Sequence, residues 1–439
     1  MSLTLQLAEH IAASRPGAGA LAAARLALTD YLACAIAGSR GSDFQRFKAA
    51  FLPGAGKGQT LVIGSAARVD PTTAALLNAY SGHALDYDDV HASMRGHPGT
   101  VLFPALLAAR RGESAARVLE AFVVGLEVAG RLGLSLGPSH YERGFHATST
   151  VGSGAAAAAV AWLRGLPPQD IAKALSLGAT QGAGLRGQFG TEVKPFHAAM
   201  AARAGLEAVV MVEAGLSGSE SLLDGPTGFI ALMGFDSAAP EKLLPGWGAP
   251  WQIEAPGLIF KEFACCTATH CAAQAMLHLI AQHDPAADEV AAVTVTFPPG
   301  GDAALITGPA PETGVEGRFS VEYVLARALL DRRLSVAAFD ETPVSAAALA
   351  LAARVRRRWD QTAPRQSNDP KTRFAEVALT LTDGRCLKRR ETAVRGLSDP
   401  SEKFLDATGQ NHTLLAQIRS MQSVADFDRL LSLLASAEL

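Results

Sequence analysis

The densest polar stretch of the chain reads Gly82-His83-Ala84-Leu85-Asp86-Tyr87-Asp88-Asp89-Val90-His91, followed by Arg95-Gly96-His97-Pro98. Three carboxylates and three imidazoles lie within fifteen residues of an otherwise apolar region, a set that suits acid/base chemistry or a metal ion. The spacing matches neither His-Glu-x-x-His nor an EF-hand loop, which ranks metal behind acid/base work. The plain alternative is an Asp-rich loop that caps helices and satisfies its own backbone.

Three polar residues, His97 among them, precede expected helix starts. His97 comes before Pro98, a favoured first helical residue. His146 comes before Ala147-Thr148-Ser149, where a hydroxyl can cap the Ala-rich segment behind it, and Lys194 comes before Pro195. Helix N-termini carry free N–H groups and the positive end of the macrodipole, so each is a potential carboxylate site. If the fold brings these ends together, the pocket offers imidazoles, an ammonium and backbone donors to a di- or tricarboxylate; if not, they are three unrelated capping loops.

Around Lys261-Glu262-Phe263-Ala264-Cys265-Cys266-Thr267-Ala268-Thr269-His270-Cys271, adjacent cysteines invite a zinc or thiol reading. No Cys-x-x-Cys pair is present, so the cysteines read as small buried residues opening a helix that runs to His283. Lys261 and His270 are left to lend charge to a cleft between domains. Gly182-Ala183-Gly184-Leu185-Arg186-Gly187 matches G-x-G-x-x-G formally, but no βαβ unit surrounds it. No P-loop and no G-x-S-x-G elbow occurs.

The elements that must position these residues are mostly helical. Apolar periodicity predicts helices over 20–37, 98–111, 114–134, 149–164 and 195–214, several closed by glycine. Beyond about residue 263, alternation predicts a strand over 289–297 and a hairpin over 374–387 turning at Asp383-Gly384, with helices over 321–331 and 346–359 between them. The stretch 414–437 reads as helical and returns to the first domain. The expected fold is therefore mainly α: a large all-helical domain of residues 1–262 with a C-terminal return of 397–439, and a smaller α+β lid domain of 263–396.

Length and composition agree: 439 residues point to two domains, and 49% hydrophobic with 18% charged residues is globular. A formal net charge of −3 gives no reason to expect nucleic acid or an anionic membrane as partner. The longest apolar stretch, 151–163, is too short to span a bilayer, the N-terminus lacks the basic region of a signal peptide, and five cysteines in no disulfide pattern suit a cytoplasmic setting.

The motifs together resemble the MmgE/PrpD family, which includes 2-methylcitrate dehydratase, cis-aconitate decarboxylase and iminodisuccinate epimerase. The resemblance is carried, in the family's order, by 83–89 with His97-Pro98, Gly144-Phe145-His146-Ala147-Thr148, Gly190-Thr191-Glu192-Val193-Lys194-Pro195 with 201–205, and 261–270. It implies a helical main domain with an α+β lid, a homodimer, and catalysis without metal or other cofactor. Carried over by position, it implies a catalytic set of Asp86, His97, Tyr141, His146, Lys194 and Lys261, with Arg95, Thr148 and His270 binding substrate. Tyr141 and the phrases at 94–98, 248–251 and 255–258 look like the epimerase branch. Val90, Ala147 and Gly99 depart from residues frequent in the family, which bears on substrate more than on reaction type.

The expected activity is a lyase or isomerase step that abstracts a proton alpha to a carboxylate of a small polycarboxylate, as in 2-methylcitrate dehydratase. Epimerisation of an iminodisuccinate-like dicarboxylate is the alternative, and a non-catalytic carboxylate-binding scaffold the last. Lys194, Lys261, His97 and the helix ends would hold the developing charge, Tyr141 or His146 would be the base, and Asp86 would orient its neighbours. A tyrosine base would need its pKa lowered by a nearby lysine.

Overall fold

A computed structural model describes residues 1–367 and 372–435. Up to residue 260 the chain is a bundle of helices around one apolar core, and it is mainly α as expected. The helix Val193–Glu213 packs on Pro71–His83, Gly99–Ala109 and Gly152–Leu163, and Ala115–Leu136 flanks the last two. Alanine and glycine allow this closeness: a Cβ built on Gly205 would lie 2.4 Å from the Cβ of Ala156 on the neighbouring helix. Nothing larger fits there, so the helix carrying Lys194 is fixed against the helix that follows His146.

The helix Ala18–Gly38 has 21 residues and a mean hydropathy of 1.5 over its most apolar window, enough by length and composition to cross a membrane. Here 67% of that window is buried inside the fold. Arg25 and Asp30 interrupt its apolar run, so that 151–163 is the longer uninterrupted stretch in the sequence. Asp30 faces the core and accepts a hydrogen bond from Lys403 Nζ at 2.8 Å, both side chains being about 1% exposed. This pair ties the helix Ser401–Ala407 to the bundle, and Phe404, Leu414, Ile418 and Phe427 beyond it join the same core. Lys403→Ala is expected to cost about 3 kcal/mol in unfolding free energy, because it leaves a buried carboxylate without its counter-charge. Chemical denaturation of the two proteins checks this.

The all-helical expectation for the first region needs amending. Thr60–Val62 pairs with Ser65–Val69 across a turn at Gly64, and Val90–His91 pairs antiparallel with Leu258–Ile259. Both pairs are too short to show alternation in sequence.

The described residues of 263–396 build a second layer. Four strands, β1 (Val290–Phe297), β2 (Val355–Trp359), β3 (Ala375–Leu381) and β4 (Cys386–Glu391), lie in the order β2-β1-β3-β4. β1 pairs antiparallel with β3, Val295 opposite Val377, and parallel with β2, Val295 opposite Arg357. Val290, Val293, Val295 and Phe297 face the helices Thr267–His283 and Val321–Asp331 in one buried cluster. The helix expected over 346–359 ends at Ala352, and its second half is β2. Its pairing with β1, and the Arg357–Glu322 ion pair at 2.7 Å, are contacts between segments far apart in the chain, which override the helical propensity of the arginines. Similarly, the helix expected over 414–437 is broken into His412–Ser420 and Val424–Leu434, with Ser423 capping the second.

Candidate active site

The chain leaves Pro71–His83 into a loop that reaches Gly99, and this loop assigns each of its three carboxylates a different task. Asp89 Oδ1 accepts the Gly99 N–H at 3.0 Å, capping the next helix. Asp88 holds His83 Nδ1 at 2.9 Å and lies 3.4 Å from His97 Nδ1. Only Asp86 faces open space, so the structural and the chemical readings of this island each describe part of it. Asp86 adopts a left-handed backbone, φ 48°, which lets its carboxylate and its carbonyl meet the same ammonium.

That ammonium is Lys261, whose Nζ donates to Asp86 Oδ1 at 2.6 Å and to Asp86 O at 2.7 Å. Lys194 Nζ donates to the same Oδ1 at 2.8 Å, and His97 Nε2 stands 3.7 Å from it. Burial opposes the Asp86 charge, yet Lys194 and Lys261 outweigh it and hold the carboxyl well below its usual range. The two lysines diverge. Burial lowers both, but Asp86 and Asp88 lift Lys261 above the ordinary lysine value, while Lys194 stays below it. Lys261 is thus a fixed cation and Lys194 the one readier to give up a proton.

Around this centre stand imidazoles kept neutral. Burial first, and then Lys194, hold His146 well below the usual histidine range, and its Nδ1 lies 3.1 Å from His197 Nδ1. His97 is lowered likewise, by burial and then by the lysines against the pull of Asp88. Its backbone N–H donates to Thr148 Oγ1 at 3.2 Å, and a Cβ on Gly96 would come within 2.9 Å of Thr148 N. Tyr141 lies between two guanidiniums, Arg186 at 4.1 Å and Arg95 at 5.3 Å from its ring centre. Loss of water raises its pKa more than the arginines lower it. The lysine neighbour asked for by a tyrosine base is replaced by these arginines, and the phenol stays protonated, a donor rather than a base.

One cleft is lined by Asp86, Arg95, His97, Tyr141, His146, Lys194 and Lys261 together. Thr148 and His270, expected to bind substrate, do not line it. Thr148 is buried beneath the His97 backbone, and His270 lies behind it with Nε2 on Cys265 O at 3.2 Å. The three helix starts do meet at the cleft, and at two of them a first N–H is taken within the protein: Gly99 N–H by Asp89, and Val193 N–H by the Thr191 hydroxyl at 3.2 Å. Lys194 sits inside its helix, and His146 precedes a single turn, Ala147–Thr150, separate from the Ala-rich helix. The cations that an anion would meet in the cleft are the side chains of Lys194, Lys261 and Arg95. The sequence reading missed Phe189, Cys266, Phe319, Arg365 and Arg373 in the lining, and His197 behind His146. Of these, His197 left a signal, one helical turn after Lys194, and Cys266 was read only as a small buried residue opening a helix.

Atoms of His83, Asp86, Asp88 and His97 lie within 4.8 Å of one another, the spacing of a metal site. The donor set is ill suited to a cation, because two ammonium groups already occupy Asp86 Oδ1 and Asp88 is committed to His83.

His91 also lines the cleft and is wholly buried, with Nε2 donating to Gln252 O at 3.1 Å and Nδ1 accepting from Met94 N at 3.3 Å. Burial brings its pKa down from 6.5 to about 4, against the pull of the Gln252 bond. Its contribution to stability is complete above pH 6.5 and is lost as pH falls toward 4, since only the unfolded chain takes up the proton there. The unfolding free-energy gap between the wild type and His91→Gln is therefore expected to shrink by about 3 kcal/mol between pH 7 and pH 4. Denaturation series at fixed pH values measure it.

Comparison with known proteins matches residues 5–241 to the MmgE/PrpD N-terminal domain and residues 263–407 to the MmgE/PrpD C-terminal domain. Cis-aconitate decarboxylase of Mus musculus is 29% identical over 344 residues, covering 75% of this chain and 68% of that protein. The Homo sapiens protein of the same name is 28% identical over 344 residues, covering 75% and 69%. A cis-aconitate decarboxylase of Aspergillus terreus is 26% identical over 340 residues, covering 72% and 69%.

Proposed function

Because this chain belongs to the MmgE/PrpD family, we propose that its cleft carries out a lyase-type reaction beside a carboxylate of a small di- or tricarboxylate. The observation that carries this reading is the single Asp86 oxygen shared by two buried ammonium groups, with neutral imidazoles alongside. A carboxylate already bears negative charge, so removing a proton next to it needs cations aimed at the forming enediolate. Lys194 and Lys261 supply them, with Asp86 holding both in place.

In the reading we favour, a hydro-lyase resembling 2-methylcitrate dehydratase, His146 takes the proton alpha to the carboxylate. The electron pair forms the C=C bond, the β-hydroxyl departs with a proton from Tyr141 as water, and the His146 proton returns to Tyr141 through solvent. A second reading is epimerisation of an iminodisuccinate-like dicarboxylate. The protonated Tyr141 serves it as well as it serves dehydration, since a phenol lining the same cleft as the base can return a proton to the other face of the carbanion. Decarboxylation, the activity named for the relatives, would develop charge at the same place. We also read residues 263–396 as a lid domain over a main domain of 1–262 and 397–439. Support comes from the lining, which draws Asp86 and Lys194 from one and Phe319 and Arg373 from the other.

The test is to incubate the protein with 2-methylcitrate, citrate, cis-aconitate and iminodisuccinate in heavy water and follow each by proton NMR. Dehydration, decarboxylation and epimerisation give different spectra. Binding without conversion or deuterium uptake in any of them would leave only a carboxylate-binding scaffold.

A further inference from the structure

The cleft is more positive than a single reacting carboxylate requires. Among the described residues Lys194, Lys261, Arg95, Arg365 and Arg373 line it against only Asp86 and Glu142, in a chain whose formal net charge is −3. The cations form two groups. The lysines lie deep and are neutralised in part by Asp86. Of the arginines, Arg365 is 64% exposed and lies 3.4 Å from Glu142. Arg95 and Arg373 are half-buried, and among the described residues neither has a carboxylate within ion-pair distance. Arg95 makes one long hydrogen bond, to Pro138 O at 3.4 Å, and is held at φ 56°, an uncommon conformation for a residue with a side chain. Burial lowers its pKa, and Arg373 and Arg186 lower it further against Tyr141 and Glu142. Half-buried like charges left without a counter-ion are costly unless an anion joins them.

We propose that Arg373, with Arg95, forms an outer subsite for the remote carboxylate of the substrate, and so makes the cleft selective for polycarboxylates over monocarboxylates. This rests on the reading of the lysine pair as the place of the reacting carboxylate. A guanidinium meets a carboxylate through two parallel N–H bonds, which fix its direction as well as its charge. A substrate held at both ends is fixed over the lysines, so that binding at the remote group orients the reacting one.

Calorimetric titration tests the subsite without relying on turnover. Citrate, a tricarboxylate, and 2-hydroxyisobutyrate, a monocarboxylate, are titrated into wild type, Arg373→Met and Arg373→Lys. Arg373→Met is expected to weaken citrate about 10- to 100-fold, as for loss of a hydrogen-bonded charge, to leave 2-hydroxyisobutyrate unchanged, and to be partly rescued by Arg373→Lys. Equal weakening of both ligands, unchanged citrate affinity, or no citrate binding by the wild type would overturn the subsite. Arg373-dependent citrate binding in a protein that converts no member of the panel would instead sink the proposed reaction and leave the subsite standing.

Discussion

Lys194→Met should lower kcat/KM by about 100- to 1,000-fold, the loss that follows removal of one group stabilising a developing oxyanion, while the protein stays folded. The two halves of this expectation have separate causes. Activity falls because Lys194 lines the cleft, and its low pKa also makes it the ammonium readier to pass a proton. The fold survives because Asp86 keeps Lys261, which holds both its carboxylate and its carbonyl. What remains is a neutral pair, not an orphaned charge, and methionine preserves the length and apolar stem of lysine. Turnover of the responsive substrate, read beside a thermal melt, measures both. A variant within tenfold of wild type would remove Lys194 from the chemistry.

The second large effect concerns the base. His146→Gln is expected to reduce kcat by about 100- to 10,000-fold, the range for a lost general base, and to abolish deuterium uptake into bound substrate. Glutamine retains a hydrogen-bonding end toward His197, so packing behind the residue changes little. The imidazole is suited to the task because it lines the cleft and is neutral, and because the carboxylates of an arriving substrate favour the imidazolium it becomes. If deuterium uptake persists in the glutamine variant while net turnover falls, the base lies elsewhere and His146 acts later in the sequence.

These expectations draw on a site that was only partly legible beforehand. Asp86, His97, His146, Lys194 and Lys261 stood out because charged or titratable residues are rare in so apolar a chain and because their motifs recur in one family. Thr148 and His270, expected to bind substrate, do not line the cleft, since a motif records that residues are near each other and not which of them faces the cavity. Arg373 gave no signal at all; its position before β3 explains its secondary structure but not its place in the lining.

Local pattern in the chain was enough for the long helices of the first region, whose apolar periodicity and glycine stops are local, for the alternating strands β1 and β3, and for the family. Folding decided two things that local pattern could not: that the helix from Ala346 ends at Ala352 so that Val355–Trp359 can pair with β1, and that Asp86 meets two lysines more than a hundred residues away in the chain. Each depends on contacts between distant segments. A hydrogen bond or an ion pair across such a gap leaves no periodic trace, because its strength comes from the distance and burial that the finished fold imposes.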